Sequence, residues 1–286
     1  MRQYLLKNFD SRRVLSRLWS IVILAAVMLL ISSCASLSST GVGRVKHYVV
    51  ENRQLPQAFD GFRLAFISDI HYPSLFGKSR LPKLVNALEG IEADMLLLGG
   101  DYVTDNDSID ALFAALGSVD VPYGIFAVLG NHERNNGAAI MSSMDKFGIR
   151  VLGDSICTLE RDGESIFVAG VMDSFSEGPR LCPAGMVAQE EFVILLAHTP
   201  DYAERVSSPA DLVLSGHTHG GQVSILGVYT PVKNSIYGSR FLKGRNVTTA
   251  GSVMITTNGV GTSRRKLRFC VPSEIVVVEL RCLGEE

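Results

Sequence analysis

The chain carries short apolar runs at residues 62–67, 95–98, 125–129, 192–197 and 212–214, and only Arg63 interrupts them. Near-continuous hydrophobicity, in place of strict alternation, marks strands buried on both faces of a sheet. Between the runs, segments 80–88, 109–116 and 138–147 space their apolar residues as helices do. Strands interleaved with helices predict an α/β domain. Further apolar runs at 166–169, 253–257 and 275–280 predict the strands of a second sheet.

One apolar run, 21–31, stands apart at the front, behind Arg2, Lys7, Arg12, Arg13 and Arg17. It falls short of the ~20 residues a membrane span needs but suits the core of a signal peptide. It leads into Ser32-Ser33-Cys34, an order that resembles a bacterial lipobox, and Arg12-Arg13 resembles a twin-arginine export signal. An uncleaved anchor extended by Leu18 and Trp19 is the alternative. The expected organisation is a signal peptide or membrane anchor at 1–33, a Ser- and Gly-rich flexible tether at 34–43 and a folded domain at 44–286.

The residues after each strand carry the chemistry. Asp69-Ile70-His71 follows the first run and Gly99-Gly100-Asp101 the second; Gly130-Asn131-His132-Glu133 follows the third, His198 the fourth and Gly216-His217-Thr218-His219 the fifth. Ligands of open α/β sheets gather at the carboxyl ends of strands, so five strands deliver Asp, Asn and His to one rim. Alone, each motif has an ordinary reading: a turn, a chance pair or a core histidine. As an ordered set it points to metal chemistry, and five of the six histidines fall inside it.

This set resembles the calcineurin-like metallophosphoesterases over roughly 62–279, and the stretches 99–105 and 216–222 are similar to a branch of small bacterial envelope-associated phosphohydrolases. The resemblance implies two mixed β-sheets packed as a sandwich with flanking helices, and a catalytic domain at 44–286. It also implies two divalent transition-metal ions (Mn, Fe or Zn). Asp69, His71, Asp101 and His219 would hold the first; Asp101, Asn131, His198 and His217 the second, with Asp101 bridging. His132 would stand off both metals beside the phosphate as the catalytic histidine, stabilising charge or protonating the leaving oxygen. Residue chemistry agrees, since a carboxylate can bridge two cations and imidazole suits these metals better than Mg²⁺ or Ca²⁺. Bound metals acidify water from a pKa of ~16 towards ~7.

The implied activity is hydrolysis of a phosphodiester, phosphomonoester or pyrophosphate. A lipid-linked nucleotide-sugar pyrophosphatase of the acylated-glucosamine type is the alternative, and the complete ligand set disfavours a non-catalytic scaffold. Protein Ser/Thr phosphatases of the family carry Asp-Arg-Gly where this chain has Thr104-Asp105-Asn106, which weakens a phosphoprotein substrate. Asp105 and Glu133 are the candidates for orienting His132.

A formal net charge of −2 argues against a nucleic-acid partner, and the resemblance implies a phosphorylated small molecule or lipid as substrate. Arg264, Arg265, Lys266 and Arg268 form a basic cluster, either a solvated face or a contact for a second phosphate or anionic lipid. Cys157, Cys182, Cys270 and Cys282 form no Cys-x-x-Cys pair and so give no zinc or redox signature. The expected location is the bacterial cell envelope, with membrane attachment at Cys34.

Overall fold

The computed structural model describes residues 11–34, 42–73, 77–172, 182–225, 229–263 and 267–284. The first strands are β1 (Arg44–Asn52), β2 (Arg63–Ile67), β3 (Met95–Leu98), β4 (Ile125–Ala127), β5 (Ile149–Val151) and β6 (Ser155–Arg161). They are followed by β7 (Glu164–Gly170), β8 (Val193–Leu196), β9 (Leu212–Ser215), β10 (Gly244–Val247), β11 (Val253–Thr256) and β12 (Glu274–Cys282). The helices are α1 (Ser11–Cys34), α2 (Leu81–Glu89), α3 (Ile109–Gly117), α4 (Gly137–Lys146) and α5 (Pro200–Arg205). Two six-stranded mixed sheets result, ordered β1-β12-β2-β3-β4-β5 and β10-β11-β9-β8-β7-β6.

The apolar runs are continuous because each sheet is covered twice. In β2, Leu64 and Phe66 enter the core between the sheets, while Ala65 and Ile67 face the helix-side core. Met95 and Leu97 of β3 repeat the first role, and Leu96 and Leu98 the second. Leu84, Leu88, Leu112, Leu116, Ile140 and Met144 bring α2, α3 and α4 onto that outer face. In β8, Ile194 and Leu196 join the inter-sheet core, while Val193 and Leu195 pack with Tyr202 and Ala203 of α5. Each Leu, Ile, Val, Phe or Met buried in this way contributes about 1.5–3 kcal/mol relative to exposure.

The assignment of strands to sheets differs from the sequence reading. The 275–280 strand, expected in the second sheet, is β12 of the first, parallel to β1 and antiparallel to β2. Hydrophobic periodicity reports burial, not partner, and β12 pairs with the far end of the chain. Strands β1, β5, β6 and β10 carry no continuous apolar run because part of each is exposed. Between β6 and β7, Asp162 and Gly163 have φ 53° and 84°, the two left-handed residues of a tight hairpin.

Strands β2, β3 and β4 are parallel, as are β8 and β9, so the five motifs emerge on one rim. The 21–31 run lies in α1, whose side chains from Leu15 to Met28 are exposed. Among the described residues no helix is long and apolar enough to cross a membrane. Of the expected tether, 35–41 lie outside the described residues, and Val42 is packed in the helix-side core. Arg264, Arg265 and Lys266 also lie outside them.

Candidate metal centre

The loop after β2 places Asp69 and His71, and the loop after β9 places His217 and His219 opposite them. The Asp69 carboxylate accepts the His217 backbone N–H at 2.9 Å, and its Oδ1 lies 3.2 Å from His219 Nε2. His71 and His219 stack with their Nε2 atoms 3.1 Å apart. Asp101, from the loop after β3, sits between two groups of donors. Its Oδ2 is 3.6 Å from His71 Nε2 on one side and 3.4 Å from His198 Nε2 on the other. Asp69, His71, Asp101 and His219 offer ligand atoms within 4.8 Å of one another, as do Asp101, His198 and His217.

The backbone is shaped around these contacts. Asp69, His71, Asp101, His217 and His219 all have positive φ, between 48° and 67°. Non-glycine residues there cost of order 1–3 kcal/mol each and persist only where the surroundings hold them. The motif glycines leave room for the carboxylates: a Cβ on Gly130 would strike Asp101 Oδ1, and one on Gly216 would strike Asp69 Oδ2.

Electrostatics separate the groups. Burial pushes the Asp69 carboxyl up to about 6. Burial also lowers His71 to about 4 and His217 to about 3, leaving neutral imidazoles with available lone pairs at neutral pH. In Asp101 burial acts upward, but His198, His71 and His132 outweigh it and hold the carboxyl below the ordinary range. Burial acts downward on His198, but Asp101, Asp69 and the Gly99 carbonyl raise it to about 10. The His198 Nδ1–H donates to that carbonyl at 2.6 Å, which turns Nε2 towards Asp101.

Asn131 is in the 3-10 turn Asn131–Asn135, and its Oδ1 is a buried acceptor with no hydrogen-bond partner. Buried carboxylates, neutral imidazoles and an orphaned amide oxygen on the third motif are the donor chemistry of a dinuclear divalent site, and the cluster fits one. His132 lies at the mouth. Its side chain is 43% exposed against 0–4% for His71, His198 and His219, and its Nε2 is 3.9 Å from Asp101 Oδ2. Its backbone N–H donates to Asp101 Oδ1 at 3.0 Å.

Two sequence expectations need correction. Neither Asp105 nor Glu133 hydrogen-bonds His132. Asp105 is exposed, whereas the buried Glu133 carboxylate accepts the backbone N–H groups of Gly130, Asp101 and Tyr102 at 2.7, 2.9 and 2.9 Å. Burial and the Asp101 charge raise its pKa. Arg268, read as part of a solvated or ligand-facing basic run, turns inward, and burial lowers its pKa to about 10. Both residues were missed as supports because sequence spacing gives no sign of which backbone groups a buried charge will reach.

The profile of the calcineurin-like phosphoesterases matches residues 62–221. The Bacillus subtilis metallophosphoesterase YkuE, itself uncharacterized, is 31% identical over 243 residues, covering 82% of this chain and 84% of its own. The Escherichia coli phosphodiesterase YaeI is 32% identical over 230 residues, 77% of this chain and 82% of its own. Among solved structures, a dimetal phosphatase from Danio rerio is a distant likeness at 13% identity and TM-score 0.42, over 77% of this chain and 99% of that one. With the metal-ligand chemistry gathered on one rim, the chain belongs to the calcineurin-like phosphoesterase family and is a metal-dependent phosphohydrolase.

Proposed function

We propose that the chain hydrolyses phosphodiesters at a binuclear site, and the observation carrying this is the position of Asp101 between two donor groups. Asp69, His71, Asp101 and His219 would hold one ion, and Asp101, Asn131, His198 and His217 the other. When bound, two divalent cations polarise a phosphoryl oxygen and acidify a water nucleophile. The protein's own part is positional and acid–base. Asp101 and Asp69 supply charge, the neutral His71, His217 and His219 supply nitrogen donors, and Gly99 orients His198. The open His132 would hold a proton at Nε2 for the leaving oxygen. A phosphodiesterase name on one relative supports the diester among the possible bonds.

The test is turnover of bis(p-nitrophenyl) phosphate against p-nitrophenyl phosphate, with added Mn²⁺. Preference for the diester supports the reading, monoester preference overturns the substrate choice, and no turnover of either supports a binding scaffold.

A lipid-linked or otherwise amphiphilic phosphoester is the second reading. A cavity of about 460 Å³ adjoins His219 and is lined by Val223, Pro231, Val232 and Leu267 together with Gln222 and Asn234. Envelope attachment through Cys34 belongs to the same reading. Cys34→Ser should abolish lipid labelling in a bacterial host, whereas unchanged mass and membrane retention would favour an uncleaved anchor.

A further inference from the structure

The guanidinium of Arg268 is spent on backbone carbonyls. Nε and Nη2 donate to Gly261 O at 2.9 and 2.6 Å, and Nη2 also reaches Asn258 O at 2.6 Å and Gly259 O at 3.2 Å. Nη1 donates to His219 O and Val271 O, each at 3.3 Å, and Nη2 lies 3.4 Å from His219 Nδ1. A guanidinium presents five N–H donors in a planar fork, and carbonyls from three separated segments take them up.

Those segments converge on one half of the metal centre. The 258–261 loop rests on the first motif: Val260 N–H donates to Ser68 O at 3.0 Å and Gly261 N–H to Asp69 O at 2.8 Å. The approach is close, because a Cβ on Gly259 would come within 2.7 Å of Asp69 Cβ. Arg268 therefore joins the backbone at Asp69, through this loop, to the backbone at His219, directly. Both residues are in left-handed conformations, at φ 55° and 53°, that their surroundings must maintain. Arg268 makes no hydrogen bond to Asp101, Asn131, His198 or His217.

We infer that Arg268 is a positioning residue that assembles the first donor set, Asp69, His71 and His219, and leaves the second set intact. This rests on the two-site reading above. Without the cation, carbonyls from three segments face one another unsatisfied and the loops relax apart. Lysine carries the charge but only three donors on one nitrogen, so it cannot bridge all three segments.

The experiment titrates Mn²⁺ into the metal-free full chain by calorimetry and follows the loaded protein by electron paramagnetic resonance. Circular dichroism confirms that each variant is folded. Wild type should take up two ions and show an exchange-coupled pair. Arg268→Gln should weaken one site by about 10–100-fold, the usual loss for a group supporting a metal ligand, and show isolated Mn²⁺ at one equivalent. Arg268→Lys should fall between the two and serves as the test should the Gln variant not fold. Two unchanged sites with a coupled spectrum in the variants would overturn the inference and leave the two-site reading standing, as would equal weakening of both sites. A wild-type chain that binds fewer than two ions would overturn the two-site reading itself.

Discussion

Glu133 Oε2 accepts the backbone N–H of Asp101 at 2.9 Å, so an acid from the third motif holds the backbone of the second. Two more amides, of Gly130 and Tyr102, converge on the same side chain. Removing it leaves three buried N–H groups without an acceptor, at about 1–3 kcal/mol each. Glu133→Ala should therefore lower the stability of the metal-free chain by roughly 3 kcal/mol or more, read by chemical denaturation. Glu133→Gln keeps one acceptor oxygen and should lose less. An alanine variant as stable as wild type would remove Glu133 from this role.

The metal-free and metal-loaded chains should respond to pH in opposite directions. The folded-state pKa of His198 is raised from 6.5 to about 10, so its protonated form stabilises the metal-free fold fully below 6.5. That contribution is lost as pH rises through about 10. A cation held at His198, as proposed, would need the Nε2 lone pair, so metal loading should release the proton and apparent affinity should climb over the same window. The stability difference between metal-free wild type and His198→Gln should shrink from pH 6.5 to 10 in thermal melts. A difference that widens with pH would contradict the assignment.

A variant at His132 tests whether catalysis is separable from metal binding, as the proposed role of this residue requires. Its side chain is 43% exposed, and its Nε2 lies 3.9 Å from Asp101 Oδ2. His132→Ala should keep both ions and lower the maximal rate by ~10²–10⁴. If His132 donates a proton, the loss should be smaller with nitrophenolate as leaving group than with an alkoxide. Loss of an ion, or full activity on every substrate, would remove His132 from this role.

The cavity beside His219 should register as chain-length selectivity. Each methylene buried there should add about 0.8 kcal/mol of binding, so kcat/KM for alkyl phosphodiesters should rise with chain length until the cavity is filled. Leu267→Ser, at a lining residue that is 56% exposed, should flatten the series and spare a short diester. A series already flat in wild type would leave the amphiphilic reading without support.

The core strands were legible because burial on both sheet faces writes itself as unbroken apolar runs, as in Met95–Leu98. The candidate donors stand out because each sits just after such a run, and Asp69, His71, Asp101, His198, His217 and His219 do come together in two groups. Strand order was not, since β12 finds β1 and β2 by pairing distant in sequence. Nor was the supporting chemistry: Glu133 reads as a candidate to orient His132 and Arg268 as part of a basic surface run, and only the folded backbone shows the amides and carbonyls they serve. The hairpin at Asp162-Gly163 did carry a readable signal, an Asp-Gly pair between alternating segments.

The proposed sharing of Asp101 by two metal ions is open to direct measurement. Elemental analysis of the full chain after Mn²⁺ reconstitution should approach two equivalents, and Asp101→Ala should lose most of both together with diester hydrolysis. One tightly held ion with full activity in wild type, or two ions retained by Asp101→Ala, would contradict the account.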